Sequence, residues 1–402
     1  MAVCVRLLAV DEARRRVLAQ AQSLGDEVVP LSEAAGRFLA EDIRAVRHQP
    51  PFAGSAMDGW AVRAADTPGI LTVVGESAAG RGYAGELGVG QAVRIFTGAA
   101  VPAGADSVVI QEEAERQDAA VRVGIAAPGG NVRPKGQDFR SGDLLLKKGQ
   151  RLDPWRLSLA AAAGQAKLTV ARRPRVAVLS TGEEVIEPGG DPGPFQIFNS
   201  GTPALAALLE VWGAIPLRLK VVGDDIAAIS SAVKTIDCDM IVTLGGASVG
   251  DYDLVKPAIA QLGLTMIVES IAVRPGKPTW FGLLDDGRRV LGLPGNPASA
   301  LVCAELFLKP FLRRLMGADP SPQLVPAHSD RALVENGGRE HWMRACLTYG
   351  SDGRLLARAL RDQDSSLVTM FAAADALLRR PAGAAAVAAG GAVEVLVLDR
   401  LA

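Results

Sequence analysis

The sequence predicts a multidomain α/β plus β protein: a central α/β domain with a mostly parallel sheet, a β-rich inserted domain and a small C-terminal β-barrel-like domain. Three observations lead there. Apolar runs alternate with helical periodicity between residues 174 and 316, short β-branched runs broken by glycines fill residues 45–139, and strand-like runs follow from about residue 325. A length of 402 residues suits two to four domains. The boundaries fall at 1–44 with 140–173 for an N-terminal helix and linking domain, 45–139 for the β-rich insertion, 174–316 for the α/β domain and 325–402 for the terminal β-domain.

The elements follow in order. From Asp11 to about Leu24, Ala13, Val17, Leu18 and Ala21 recur at helical spacing, and Arg14, Arg15 and Arg16 read as its solvated face. "LTVVG", "QAVRIFTG", "DSVVIQEE" and "AAVRVGIAA" are the strands of the β-rich domain. "RVAVLS", "IPLRLKVV" and "DMIVTLGG" then alternate as strands with the helices "TPALAALLEVWG", "DIAAISSAVKTI" and "DYDLVKPAIAQLG". Such alternation implies a sheet covered on both faces, with ligands bound beyond the carboxyl ends of its strands. "HWMRACLTY", "RLLARAL" and "AVEVLVL" supply the terminal β-domain.

A net charge of −1 excludes a broad basic surface and with it duplex nucleic acid as a main partner. Cys4, Cys238, Cys303 and Cys346 are far apart without a CxxC pair, which points to a reducing, cytoplasmic setting. His48, His328 and His341 have no metal-binding spacing. The N-terminus lacks a signal-peptide core, and the apolar stretch near residue 390 is Ala/Gly-rich and interrupted by Glu394, so no membrane span is expected.

The polar residues at strand ends carry the chemistry. In "GGASVGDYDLVKP", Gly245 and Gly246 let a backbone approach a ligand closely, and the following helix start offers N–H groups to an anion. Asp251 and Asp253 are either caps of that helix or carboxylates for Mg²⁺ beside a phosphate, with Lys256 offsetting phosphate charge. No GxxxxGK[ST] loop is present to do this otherwise. "VRPGKPTWFG" and "GLPGNPASA" are rigid turns, the second feeding a helix that Asn296 can cap, with Ser299 in its first turn. The Gly-rich loops "SAMDGWAVR", "FTGAAVPAGAD" and "RPKGQDFRSGD" bring Asp58, Thr97 and Asp138 in the β-rich half.

These motifs, with "STGEEV", stand in the order that resembles the molybdopterin molybdenumtransferases, bacterial enzymes related to the C-terminal domain of gephyrin, from about residue 10 to 400. The resemblance implies a central domain of the molybdopterin-binding type and an elongated homodimer with a site shared between subunits. It implies a transferase that takes adenylylated molybdopterin and molybdate, inserts the metal at the dithiolene sulfurs and releases AMP with Mg²⁺ assistance, with the molybdopterin adenylyltransferase a candidate contact.

Carried over position by position, Asp58, Thr97, Asp138, Glu184, Asp224, Asp253, Lys277 and Arg344 become the catalytic set. Gly245, Gly246, Ser248, Gly250, Lys256, Arg274, Pro294, Pro297, Ser299 and Ser365 bind substrate, and Asp251, Asp253 and Glu184 hold the metal. The chain departs from the family pattern at Gly54, Trp60, Glu183, Ala247 and Arg274, where Asn, Tyr, Asp, Val and Lys are usual. The alternatives are a molybdopterin adenylyltransferase and a non-catalytic pterin-binding scaffold.

Overall fold

The computed structural model describes residues 7–246 and 254–399. The β-rich domain is a six-stranded sheet in the order Ser107–Ile110, Gly59–Val62, Gln91–Ile95, Gly69–Ser77, Ala120–Val123, Ala114–Gln117. Period-two alternation sends Trp60 and Val62 to one core with Leu71 and Val121, and Ala61 to another with Val93 and Ile95. The linking unit pairs Asp26–Pro30 with Lys167–Ala171 and Ile43–Arg44 with Leu144–Leu146. These pack on helix Pro154–Ala162, where Asp153 Oδ1 accepts the Arg156 N–H at 2.8 Å beside a first-turn proline.

The first helix, Val10–Leu18, ends earlier than its periodicity suggests. Arg172 Nε takes the Leu24 carbonyl at 3.1 Å and Gly25, at φ +91°, turns the chain into the next strand. Its Val10, Ala13 and Val17 bury in the α/β core, not in the linking unit. The arginine run divides: Arg15 and Arg16 pair with Glu12 in solvent, whereas Arg14 turns inward to the Leu306 carbonyl at 3.3 Å. Arg14 is therefore not part of a purely solvated face.

The α/β sheet runs Ile215–Arg218, Arg175–Ser180, Met240–Leu244, Arg289–Leu293, Trp280–Leu283, Thr265–Val268. Its first four strands are mutually parallel, and Trp280–Leu283 is antiparallel to both neighbours. Val176, Val178, Met240 and Val242 join one buried cluster, and Ala177, Leu179 and Ile241 join the opposite one. The strands therefore read as continuous apolar runs because both faces are covered.

Helix Pro297–Cys303, a π-helical turn Ala304–Leu308 and helix Lys309–Leu315 form one helical rod on the first of these cores. Inside it the Lys309 ammonium lies 3.0 Å from Glu305 and 2.7 Å from Asp399, and Trp212 Nε1 donates to Asp399 at 3.1 Å. Burial raises the Glu305 carboxyl. Burial also acts to raise Asp399, but Lys309 and Trp212 outweigh it and hold that carboxyl below its ordinary range.

The C-terminal strands close into a small barrel. Glu340–Tyr349 pairs with Leu355–Ala359 and Ala376–Arg380, Leu324–Ser329 pairs with Leu355–Ala359 and Ala392–Val397, and Ala376–Arg380 with Ala392–Val397 completes the ring. Ala327, Ala345, Ala357 and Ala376 fill its narrow interior. The apolar stretch around residue 390 thus contributes a barrel strand, and among the described residues no helix is long and apolar enough to cross a membrane. Cross-strand neighbours Arg274 and Arg380 flank His341, which burial first, and then the charges of Arg274, Arg344, Arg339 and Arg380, push down to about 4.

Two predictions follow from this packing. Lys309→Met leaves Glu305 and Asp399 without their cation and is expected to lower stability by about 3 kcal/mol in urea unfolding at neutral pH, with Glu305→Gln in the same chain restoring part of it. His341 binds its proton near pH 6.5 in the unfolded chain and only near 4 in the fold. Its contribution is therefore complete above pH 6.5 and is lost as pH falls toward 4, by about 1.4 kcal/mol per unit. Urea titrations of His341→Phe across this range should show a shallower dependence than the parent; equal slopes would remove His341 as the source.

Candidate functional site

A crevice of about 770 Å³ opens beyond the carboxyl ends of the parallel strands. Its floor is backbone at close approach. Gly245, at φ +95°, donates its N–H to the Leu293 carbonyl at 3.2 Å, and a Cβ there would stand 2.9 Å from the Thr181 carbonyl. A Cβ on Gly295 would in turn lie 3.4 Å from the Gly245 Cα. Three strand ends are thus pressed together, so glycine is needed for space at Gly245 as well as for its positive φ.

One wall begins at Asn199, only 4% exposed. Its Oδ1 accepts the Thr202 N–H at 3.1 Å and its amide reaches Glu187 and the Thr202 hydroxyl, each at 3.1 Å. This fixes Ser200 and Gly201 at the start of helix Gly201–Val211, beside the apolar Ile197 and Phe198 that also line the crevice.

The exposed carboxylates of Glu184 and Asp224 face this space, as do Gly245, Gly246, Pro294 and Pro297. Ser248, Gly250, Asp251 and Asp253 lie outside the described residues, as does Ala247. Among the described residues no group of three His, Cys, Asp or Glu gathers as a metal cluster. Lys256 is placed with its Nζ 5.9 Å from the Trp280 ring centroid and does not line the crevice. Sequence reasoning did not single out Thr181, Asn199, Ser200 or Ser366 as site residues. The Asn-Ser-Gly-Thr run ahead of a helical pattern was the available signal for the second wall.

Asn296 does not cap helix Pro297–Cys303 with its side chain. Its Nδ2 instead donates to Ser365 Oγ at 2.9 Å, while the Ala298 N–H is taken by the Ser365 carbonyl at 3.2 Å. A loop of the barrel domain therefore supplies a bond at the helix start. Behind it Arg344 has no exposed surface. Its Nη2 donates to the Asp364 carbonyl at 3.1 Å, and Gln363 bonds both its backbone N–H (2.9 Å) and carbonyl (3.0 Å). Among the described residues Nε and Nη1 of Arg344 have no hydrogen-bond partner. Burial lowers the Arg344 pKa, opposed by Asp362 and Asp364.

Ser299 is buried in the first turn of the helix, Lys277 and Arg274 are exposed, and none of the three lines the crevice, although Pro278 does. The Arg274 backbone adds a short parallel pairing to the barrel at His341.

In the β-rich domain Asp58 and Thr97 are brought together. Asp58 Oδ1 accepts the Thr97 N–H at 2.7 Å and the Thr97 hydroxyl at 2.8 Å, which hold the carboxyl below its ordinary range. Asp138 is exposed on a neighbouring loop, its backbone bonded to the Gln49 carbonyl at 2.9 Å. None of the three lines the crevice of its own chain. Trp60, at the departure from tyrosine, is 4% exposed beneath the guanidinium groups of Arg94 and Arg116, so the position serves as core and not as a polar contact. Gly54 acts through its backbone, paired with Arg133.

The whole chain has recognisable relatives. Residues 8–164 match the MoeA N-terminal region (domains I and II), 177–314 a probable molybdopterin-binding domain and 326–398 the MoeA C-terminal region (domain IV). The molybdopterin molybdenumtransferase of Bacillus subtilis is 35% identical over 97% of this chain and 94% of its own length. That of Haemophilus influenzae is 34% identical over 91% of this chain and 92% of its own. The crystal structure of the MoeA protein from Pyrococcus horikoshii superposes with a TM-score of 0.83 at 33% identity, covering 98% of this chain and 100% of that one. Three consecutive region matches and full-length relatives at this identity lead to one conclusion: the chain belongs to the molybdopterin molybdenumtransferase family.

Proposed function

We propose that the chain inserts molybdenum into molybdopterin, using adenylylated molybdopterin and molybdate and releasing AMP. The observation that carries this reading is Arg344: a fully buried guanidinium with two unpartnered donors, beside a serine bonded to the rim of the crevice. Leaving such donors unmatched is costly, and a tetrahedral dianion is a chemically suited partner. Ser365 and Ser299 add hydroxyl donors, and Lys277 lies at the outer edge with its charge in solvent. Matches that include the β-rich and barrel regions favour the transferase over the adenylyltransferase and scaffold alternatives.

The glycine floor at Gly245 and Gly246 suits the phosphate end of the nucleotide, where backbone can approach without side-chain interference. The apolar Ile197 and Phe198 suit the pterin. Glu184 and Asp224 fit a hard cation that keeps waters and shares its shell with substrate phosphates, so they are the described residues that would hold Mg²⁺, joined by Asp251 and Asp253 from outside the described stretch. When bound, Mg²⁺ supplies charge neutralisation on the departing phosphate. The proposed setting is the cytoplasm.

The Asp58–Thr97 pair is absent from the crevice of its own chain, which favours a homodimer in which one subunit's Asp58 serves the other's crevice. Contact with the molybdopterin adenylyltransferase would pass on an anhydride that water would otherwise cleave.

Two measurements test this reading. Arg344→Ala should weaken molybdate binding by tenfold or more, on the order of 1.5–3 kcal/mol for a lost charged hydrogen bond, and change adenylylated molybdopterin binding far less. Calorimetry with each ligand checks it, and unchanged molybdate affinity removes the barrel domain from the site. For the dimer, Asp58→Asn and Glu184→Gln chains carrying different tags are co-expressed and the mixed dimer purified. A shared site leaves one crevice of the mixed dimer intact, so AMP release should recover to about half the parent rate per dimer. Activity no higher than that of either single variant would place each site within one chain.

A further inference from the structure

We infer that Asn296 is a positioning residue that directs the hydroxyl proton of Ser365 toward the incoming oxyanion. The inference rests on the molybdate reading of the site above.

Two serines stand side by side at the tip of the barrel loop, and their hydrogen bonds differ. The Ser366 hydroxyl donates to Asp364 Oδ1 at 2.6 Å, so its only proton is committed, and its N–H goes to the same oxygen at 2.8 Å. Ser365 Oγ instead accepts a hydrogen bond from Asn296 Nδ2 at 2.9 Å. A hydroxyl has one donor and two acceptor sites. An oxygen already accepting from an amide keeps its own proton for another acceptor, and no described acceptor takes it. The serine backbone is also fixed, because its carbonyl accepts the Ala298 N–H at 3.2 Å and the preceding Asp364 carbonyl accepts Arg344 Nη2 at 3.1 Å.

The side chain of Asn296 could have capped its own helix, since asparagine is favoured there, yet it makes no such bond. Its backbone carbonyl still accepts the Ala300 N–H at 3.0 Å. The amide is thereby released from local structure and spans between the crevice rim and the barrel loop. It acts on the oxyanion through Ser365 and need not touch the anion itself.

Asn296→Leu removes the donor at similar size, and Asn296→Asp adds no bulk but can only accept, turning the Ser365 proton onto itself. Each is made in the parent and in Ser365→Ala, and molybdate is titrated calorimetrically alongside its KM for AMP release. In the parent background we expect molybdate to bind about tenfold more weakly with Asn296→Leu, and more weakly still with Asn296→Asp, while the KM for adenylylated molybdopterin moves less than twofold. In the Ser365→Ala background Asn296→Leu should change molybdate affinity less than twofold. An equal loss in both backgrounds overturns the inference, as does an unchanged affinity in the parent background or an equal loss for both substrates. A parent protein that binds no molybdate sinks the reading of the site and this inference with it. A parent that binds molybdate and is indifferent to Asn296 sinks the inference alone.

Discussion

The helical rod from Pro297 to Leu315 is bonded to the C-terminal part of the chain at two points. At its start Ala298 and Asn296 bond Ser365, and in its middle Lys309 pairs with Asp399 while Trp212 donates to the same carboxylate. The same rod buries Val302, Phe307 and Phe311 in the α/β core. A rigid element held at two points restrains the barrel against both sliding and tilting, and so sets Ser365 against Asn296 at the crevice rim, with Ser366 and Val368 in the crevice wall. None of these residues belongs to the sheet whose strand ends form the floor.

Charge is distributed unevenly around the site. Glu184 and Asp224 are exposed in the crevice and solvated by water. Arg344 is the reverse case, desolvated and with two N–H groups unmatched. Nearby Asp362 and Asp364 favour its charged form, and Nη2 donates to the Asp364 backbone carbonyl. His341, between Arg274 and Arg380, stays neutral at physiological pH and adds no charge to a barrel face already rich in arginine. Asp58 is charged for a different reason, since two donors from Thr97 hold one of its oxygens and leave the other free.

Much of the architecture was legible because it follows from local periodicity. The continuous apolar runs Arg175–Ser180 and Met240–Leu244 announce strands covered on both faces, whereas "SAMDGWAVR", read as a loop, holds the strand Gly59–Val62, whose Trp60 and Val62 pack on one side of the sheet and Ala61 on the other. The same local rules misjudged Arg14 and Asn296. One was read as a solvated charge and the other as a helix cap, because the Leu306 carbonyl and Ser365 that engage them are 292 and 69 residues away in the chain.

The sequence by itself determined the family, the order of its motifs, the alternation that builds the parallel sheet and the acidic and glycine residues at its strand ends, since these depend on residues close together in the chain. Only the tertiary structure decided that Asn199 builds the second wall, that Lys256 lies over Trp280 outside the crevice lining, that Asp58 is absent from its own chain's crevice, and that Arg344 is buried with open donors. The physical reason is that desolvation and hydrogen-bond completion are properties of a packed environment. A guanidinium acquires a need for an anion only when the surrounding chain removes its water without supplying a partner.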